Sequence, residues 1–305
     1  MQIRVSNPIE PQPRLSERQS VPSDTSSISH VAHQVFANTH AKEIGSTVLD
    51  VSGVTLEYRT NKKVVTATKR VSFSVSKSDR YVLLGPSGCG KSTLLKSIAG
   101  YIPPVEGEIR LNGEKITRPG PDRIVVFQEF DQLLPWKTVL GNIVFSLIVG
   151  KRLPPKIAEE VARRYIDKVR LTKFADSYPH TLSGGMKQRV SIARGMAMEP
   201  SVLLMDEPFA ALDELTRVHM QDELLRLWSD TKMTIIFVTH SIPEAVKIGN
   251  KILLLSPHPG QVRAEVTSNG DDTPGLDGLK LSEKIHAELF SAGKPIEQLM
   301  GQENE

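Results

Sequence analysis

The chain carries a single cysteine, Cys89, in 305 residues. That excludes an internal disulfide and suits a reducing compartment. No apolar run approaches the roughly 18 residues that a membrane-spanning helix needs. The N-terminus lacks an apolar h-region, which argues against a secretory signal. It also carries Glu10, Glu17, Asp24 and Glu43, which argues against an organellar transit peptide. Basic residues are nowhere concentrated: 38 Lys and Arg against 35 Asp and Glu leave a net charge of +3, too diffuse for a nucleic-acid footprint. Internal repeats, heptads and cysteine pairs are lacking too. What remains, 39% hydrophobic and 24% charged, is ordinary globular composition, long enough for one large core or two modest ones.

Residues 1–47 are rich in Ser, Pro, Gln and His without sustained periodicity, and are expected to form a disordered extension. His30, His33 and His40 within it read as a solvated tail rather than a metal tract, because no cysteine or ordered frame supports ligation. Residues 48–54 and 71–75 alternate as half-buried strands do. The apolar run 81–84 leads into a glycine loop, and a helix is expected over 91–98. Residues 107–111 and 124–127 read as further strands. From 131 to about 194 the pattern turns helical, with apolar positions at helical spacing over 157–171 and a second helix from Gly184 to Met196. Residues 202–205 and 234–238 are aliphatic or β-branched throughout, as in parallel strands covered on both faces, with a helix over 215–228 between them. After about residue 265 the pattern weakens to a Gly/Asp linker, 268–278, and a short amphipathic helix, 281–290. The fold class is α/β.

Gly85-Pro86-Ser87-Gly88-Cys89-Gly90-Lys91-Ser92 stands between a strand and a helix, the context a phosphate-binding loop requires. Glycines permit tight turns and close backbone approach, so that N–H groups and the positive end of the following helix face an anion. Lys91 supplies a point charge for β and γ phosphates. The Ser92 hydroxyl is placed for Mg²⁺, and Thr93 for the α-phosphate side. Cys89 is either a redox-sensing thiolate favoured by the helix end or, more plainly, a small residue the loop tolerates. Downstream, Asp206 and Glu207 end a buried strand. Asp206 is expected to hold the Mg²⁺, and Glu207 to polarise an attacking water as base or orienter. Pro208 follows directly and argues against a plain helix cap.

Between these halves lies Leu182-Ser183-Gly184-Gly185-Met186-Lys187-Gln188-Arg189. In this order and at this distance the three motifs resemble the ATP-binding subunits of ABC transporters, over roughly residues 48–265. The resemblance implies a RecA-like P-loop core, an antiparallel β subdomain and an inserted helical subdomain at about 131–194, followed by a linker and tail over 266–305. It implies ATP and Mg²⁺ as ligands. It makes Gln128, after its strand, a contact to metal and attacking water. His240, after strand 235–238, becomes a contact to the γ-phosphate that steadies Glu207. Tyr58 becomes an aromatic that stacks on adenine, an interaction of about 1–3 kcal/mol. Ser183, Gly184 and Gly185 would meet the nucleotide held by a second copy of the chain, and Asp213 would cross the dimer seam.

Further segments narrow the group. Pro119-Gly120-Pro121-Asp122-Arg123, Leu133-Leu134-Pro135-Trp136 and Ser256-Pro257-His258-Pro259-Gly260 are similar to the nitrate/sulfonate/taurine branch of ABC importers. That branch implies a homodimer at the inner face of the membrane, beneath two permease subunits and served by a solute-binding protein, with no nucleic acid. Trp136 is then an anchor for the permease. A two-component exporter, or more remotely a non-transport ABC ATPase, is the other reading. Two departures stand out: Ser78-Asp79 replaces a common Gly-Glu pair, and Met186 stands where Gln is frequent. Neither removes a phosphate-contacting group.

Overall fold

The computed structural model describes residues 46–59, 64–128, 132–268 and 276–290. The expected N-terminal extension lies outside these residues except for its last two positions.

Two sheets form the body. In the first, β1 (Thr47–Arg59), β2 (Val64–Ser76), β4 (Glu106–Leu111) and β5 (Glu114–Lys115) are antiparallel in the order β2-β1-β4-β5. Val71, Phe73 and Val75 of β2 point inward while Ser72 and Ser74 face water, as their alternation predicts. The second sheet runs β10-β9-β3-β8-β7-β6. Its strands β3 (Arg80–Leu84), β6 (Arg123–Val126), β7 (Val202–Asp206), β8 (Ile235–Thr239) and β9 (Lys251–Leu255) are parallel. Strand β10 (Val262–Thr267) closes one edge antiparallel. β3 and β8 are buried at every position. Each buried Val or Leu there contributes about 1.5–3 kcal/mol. One apolar cluster joins the inner face of the first sheet to Tyr81, Leu83, Ile236 and Val238 of the second.

Between β6 and β7 lie three helices, α2 (Val139–Lys151), α3 (Pro155–Lys168) and α4 (Gly184–Ala197), each packed on the other two. Thr138 caps α2 by accepting from the Gly141 amide at 3.0 Å. Pro155 opens α3 at a position where its missing N–H is no loss. α1 (Lys91–Ile98), α5 (Glu214–Thr231) and α6 (Ile242–Ile248) follow β3, β7 and β8 in turn. Helix α7 (Leu276–Phe290) packs on α6, β9 and β10.

β1 runs on past residue 54 to Arg59 and β2 starts before residue 71, at Val64, so both strands are longer than expected; three further boundary differences have a local cause. β6 ends at Val126 because the Gln132 side chain takes both the Phe127 amide (3.3 Å) and its carbonyl (3.0 Å) out of the ladder. The helix expected over 157–171 stops at Lys168, since Arg170 adopts a left-handed φ of 57°. The C-terminal helix starts five residues before 281, inside the expected linker, with Ile285 fully buried and its last carbonyls held by Arg263. The Ser78-Asp79 pair has a local account. Ser78 is left-handed (φ 67°) and donates through Oγ to the Lys232 carbonyl. The Asp79 carboxylate accepts from the Ser76 amide and the Asn250 side chain, and pairs with Lys251 at 3.0 Å.

Candidate nucleotide site

The glycine loop joins the fully buried strand β3 to α1, so its backbone is anchored at both ends. Gly90 is left-handed (φ 96°), and a Cβ there would stand 2.6 Å from the Ala67 carbonyl. Only glycine fits. Lys91 donates through Nζ to the carbonyls of Gly85 (2.7 Å) and Pro86 (3.0 Å), which holds its ammonium inside the loop. Ser92 donates to Oδ1 of Asp206 at 2.7 Å, joining the start of α1 to the end of β7. Burial pushes the Asp206 carboxyl above its usual range, and the Ser92 hydrogen bond opposes that shift.

Glu207 follows Asp206 with a left-handed φ of 43°, a conformation that a side chain this size adopts only where the surroundings hold it. Its amide donates to the Val238 carbonyl at 3.1 Å. One carboxylate oxygen lies 3.0 Å from Nδ1 of His240, which follows β8. The parallel pairing of β7 with β8 brings these two strand ends side by side. Tyr58, half exposed near the end of β1, hydrogen-bonds through its hydroxyl to Thr93 in the first turn of α1.

Other expected site residues stand apart. Among the described residues, no hydrogen bond joins Gln128, Ser183 or Asp213 to this cluster. Gln128 is exposed, two residues beyond β6. Ser183 caps α4, accepting from the Met186 amide at 3.3 Å. Gly184 and Gly185 open that helix. Asp213 caps α5, accepting from the Thr216 amide at 3.0 Å, which holds its carboxyl below the usual range. Cys89 is 1% exposed, and burial raises its thiol, which disfavours the thiolate form.

Sequence reasoning missed the supports behind the cluster. Arg217 donates to the carbonyls of Phe209 (3.3 Å) and Leu212 (2.9 Å) in the loop after Glu207. Glu244, buried in α6, accepts from Thr239 and Gln221. The only signal in the sequence is the Ser241-x-x-Glu244 spacing of a capping box.

A glycine loop, a lysine held inside it, a Ser–Asp pair and a Glu–His pair at adjacent strand ends define a P-loop nucleotide hydrolase. The family model described as ABC transporter matches residues 68–210. An uncharacterized ABC transporter ATP-binding protein of Methanocaldococcus jannaschii is 45% identical over 78% of this chain and 89% of its own. The aliphatic sulfonates import ATP-binding protein SsuB of Bacillus cereus is 42% identical over 72% of this chain and 86% of its own. The taurine import ATP-binding protein TauB of Rhizobium johnstonii is 48% identical over 66% of this chain and 76% of its own. Among solved structures, a dimeric ATP-binding cassette in a post-hydrolysis state with ADP and Pi is 29% identical with a TM-score of 0.62, covering 73% of this chain and 99% of that one. The chain belongs to the ABC transporter ATP-binding family, and it is an ATPase of the ABC cassette fold. Among the described residues no helix is long and apolar enough to cross a membrane.

Proposed function

We propose that this chain hydrolyses ATP to drive import of a small solute of the nitrate, sulfonate or taurine type through a separate permease. It would act as a homodimer at the inner face of the membrane, beneath two permease subunits that receive solute from a binding protein. The observation that carries the catalytic reading is the juxtaposition of two pairs, Ser92 with Asp206 and Glu207 with His240. The import reading is supported by relatives whose names specify aliphatic sulfonates and taurine.

Each residue has a role its chemistry suits. Lys91 gives up its loop carbonyls for the β and γ phosphates, exchanging one set of oxygen acceptors for another. The Ser92 hydroxyl and Asp206 carboxylate are oxygen donors of the kind Mg²⁺ takes beside substrate phosphates, and Gln128 would join them. Bound there, Mg²⁺ would supply neutralisation of phosphate charge. Glu207 orients the attacking water and accepts its proton as the oxygen bonds to the γ-phosphorus. The bond to the ADP oxygen breaks, giving ADP and phosphate. His240 holds the Glu207 carboxylate and reaches toward the γ-phosphate. Tyr58 stacks on adenine. Ser183, Gly184 and Gly185 serve the nucleotide on a second protomer, with the start of α4 aimed at its γ-phosphate, and Asp213 crosses the seam.

The test is growth of a deletion strain on taurine or alkanesulfonates as sole sulfur source, and on nitrate as sole nitrogen source. It is complemented with the wild-type chain or with Glu207→Gln. Loss of growth on a sulfonate, restored only by wild type, is the expected result. Unimpaired growth on every source would remove the solute assignment and leave the ATPase chemistry standing.

A further inference from the structure

Glu244 is a carboxylate only 8% exposed that the reaction described above does not use. It lies three residues after the cap Ser241, a spacing at which a glutamate ordinarily turns back to the cap residue's amide. Here that amide is already taken, because Ser241 donates to Oγ1 of Thr239 at 3.0 Å. The carboxylate reaches elsewhere: it accepts from the Thr239 hydroxyl at 2.5 Å and from Nε2 of Gln221 at 3.1 Å. Thr239 and Ser241 flank His240 on either side, so these bonds act on the backbone that carries the imidazole. The His240 side chain itself is 54% exposed, and its aim depends on that backbone more than on packing.

Gln221 sits on α5, one turn after Arg217, and residues four apart share a helix face. Arg217 holds the loop that begins at Glu207 through the carbonyls of Phe209 and Leu212. One face of α5 therefore secures the chain on both sides of the Glu207–His240 contact. Lys247 of α6 and Asp222 of α5 add a second tie at 2.6 Å. Glu207, Arg217, His240 and Glu244 line one hollow.

We propose that Glu244 is a positioning residue for His240. Together with Gln221 it sets the histidine's backbone against α5, the helix that through Arg217 also sets the loop after Glu207. The idea rests on the roles given to Glu207 and His240 above.

The experiment is single-turnover ATP hydrolysis at saturating ATP, at protein concentrations that keep the dimer formed. Thr239→Val removes the hydroxyl at constant shape, and Gln221→Met removes the donor at similar volume. Each is expected to slow hydrolysis about tenfold while ATP affinity stays within about twofold, the mark of an effect on the reacting geometry alone. Thr239→Ser restores most of the rate. In a His240→Gln background, Thr239→Val causes no further loss, because a residue acting through His240 has nothing left to act on. A full rate in Thr239→Val or Gln221→Met, or a loss that multiplies in the His240→Gln background, overturns the proposal. Should Thr239→Val not fold, Gln221→Met and its double with His240→Gln decide it. A wild-type rate in His240→Gln overturns the site reading beneath it. A slow His240→Gln beside an unimpaired Thr239→Val overturns only the role of Glu244.

Discussion

Nδ1 of His240 lies 3.0 Å from a carboxylate oxygen of Glu207, although 33 residues separate them in the chain. The contact exists because β7 and β8 are parallel neighbours that end together. Glu207→Gln preserves the shape of this pair but cannot take a proton. It is expected to bind a fluorescent ATP analogue as wild type does and to turn over at least about a hundredfold more slowly. With ATP it should elute as a stable dimer in size-exclusion chromatography. A variant turning over at the wild-type rate would reject Glu207 as the base.

Ser183 and Gly185 open a helix that makes no hydrogen bond to the chain's own Lys91–Glu207 cluster among the described residues. If they serve a partner's nucleotide, one protomer holds two half-sites that cannot meet. ATPase rate per subunit should then rise with protein concentration and level off once dimers form. A rate per subunit that is high and flat across a hundredfold dilution would contradict this.

Tyr81 is buried and donates to Glu265 at 2.5 Å. Burial first, then the Glu265 hydrogen bond and charge, raise its phenol above the ordinary value near 10. A folded-state value above the unfolded one contributes stability that is fully present below the unfolded value, about pH 10, and is lost as pH climbs past it. Tyr81→Phe removes this dependence. The variant should be less stable at neutral pH by about 1 kcal/mol, and its melting temperature should fall less steeply than that of wild type above pH 10. Parallel melting curves across pH 8–11 would show no such rise in the relative stability of the variant if the tyrosine were not linked to folding.

Trp136 is 70% exposed, and Phe145, Ile148 and Val149 of α2 are exposed as well. A ring of that size in water is the kind of anchor a protein partner covers. Trp136→Ala is expected to reduce co-purification with the permease and solute uptake in cells, while the isolated protein melts within a few degrees of wild type. Full uptake by the variant would assign the ring no part in docking.

Much of this was legible in the sequence because phosphate chemistry demands fixed residues at fixed spacing. Gly85 to Ser92, Glu207 and His240 each follow, and Asp206 ends, a strand whose apolar run is plain. The supports were not legible for the same physical reason in each case. Arg217 spends its guanidinium on backbone carbonyls, Gln221 and Glu244 meet across two helices, and the turn of Glu207 into left-handed space comes from tertiary contacts. None of these leaves a periodicity. The Gln132 side chain that ends β6 early, and the left-handed Arg170 that ends α3, are likewise effects of the folded context on a boundary.

Gly185 has a consequence inside a single protomer. A Cβ there would lie 3.0 Å from Cγ2 of Thr216 on α5, closer than side-chain carbons settle without a neighbour giving way. Gly185 is thus a point of close approach between α4 and α5. Alanine at 185 would require the Thr216 methyl to give by a few tenths of an ångström, even with no second chain present. A defect that persisted in the monomer would therefore trace to this contact rather than to a second chain.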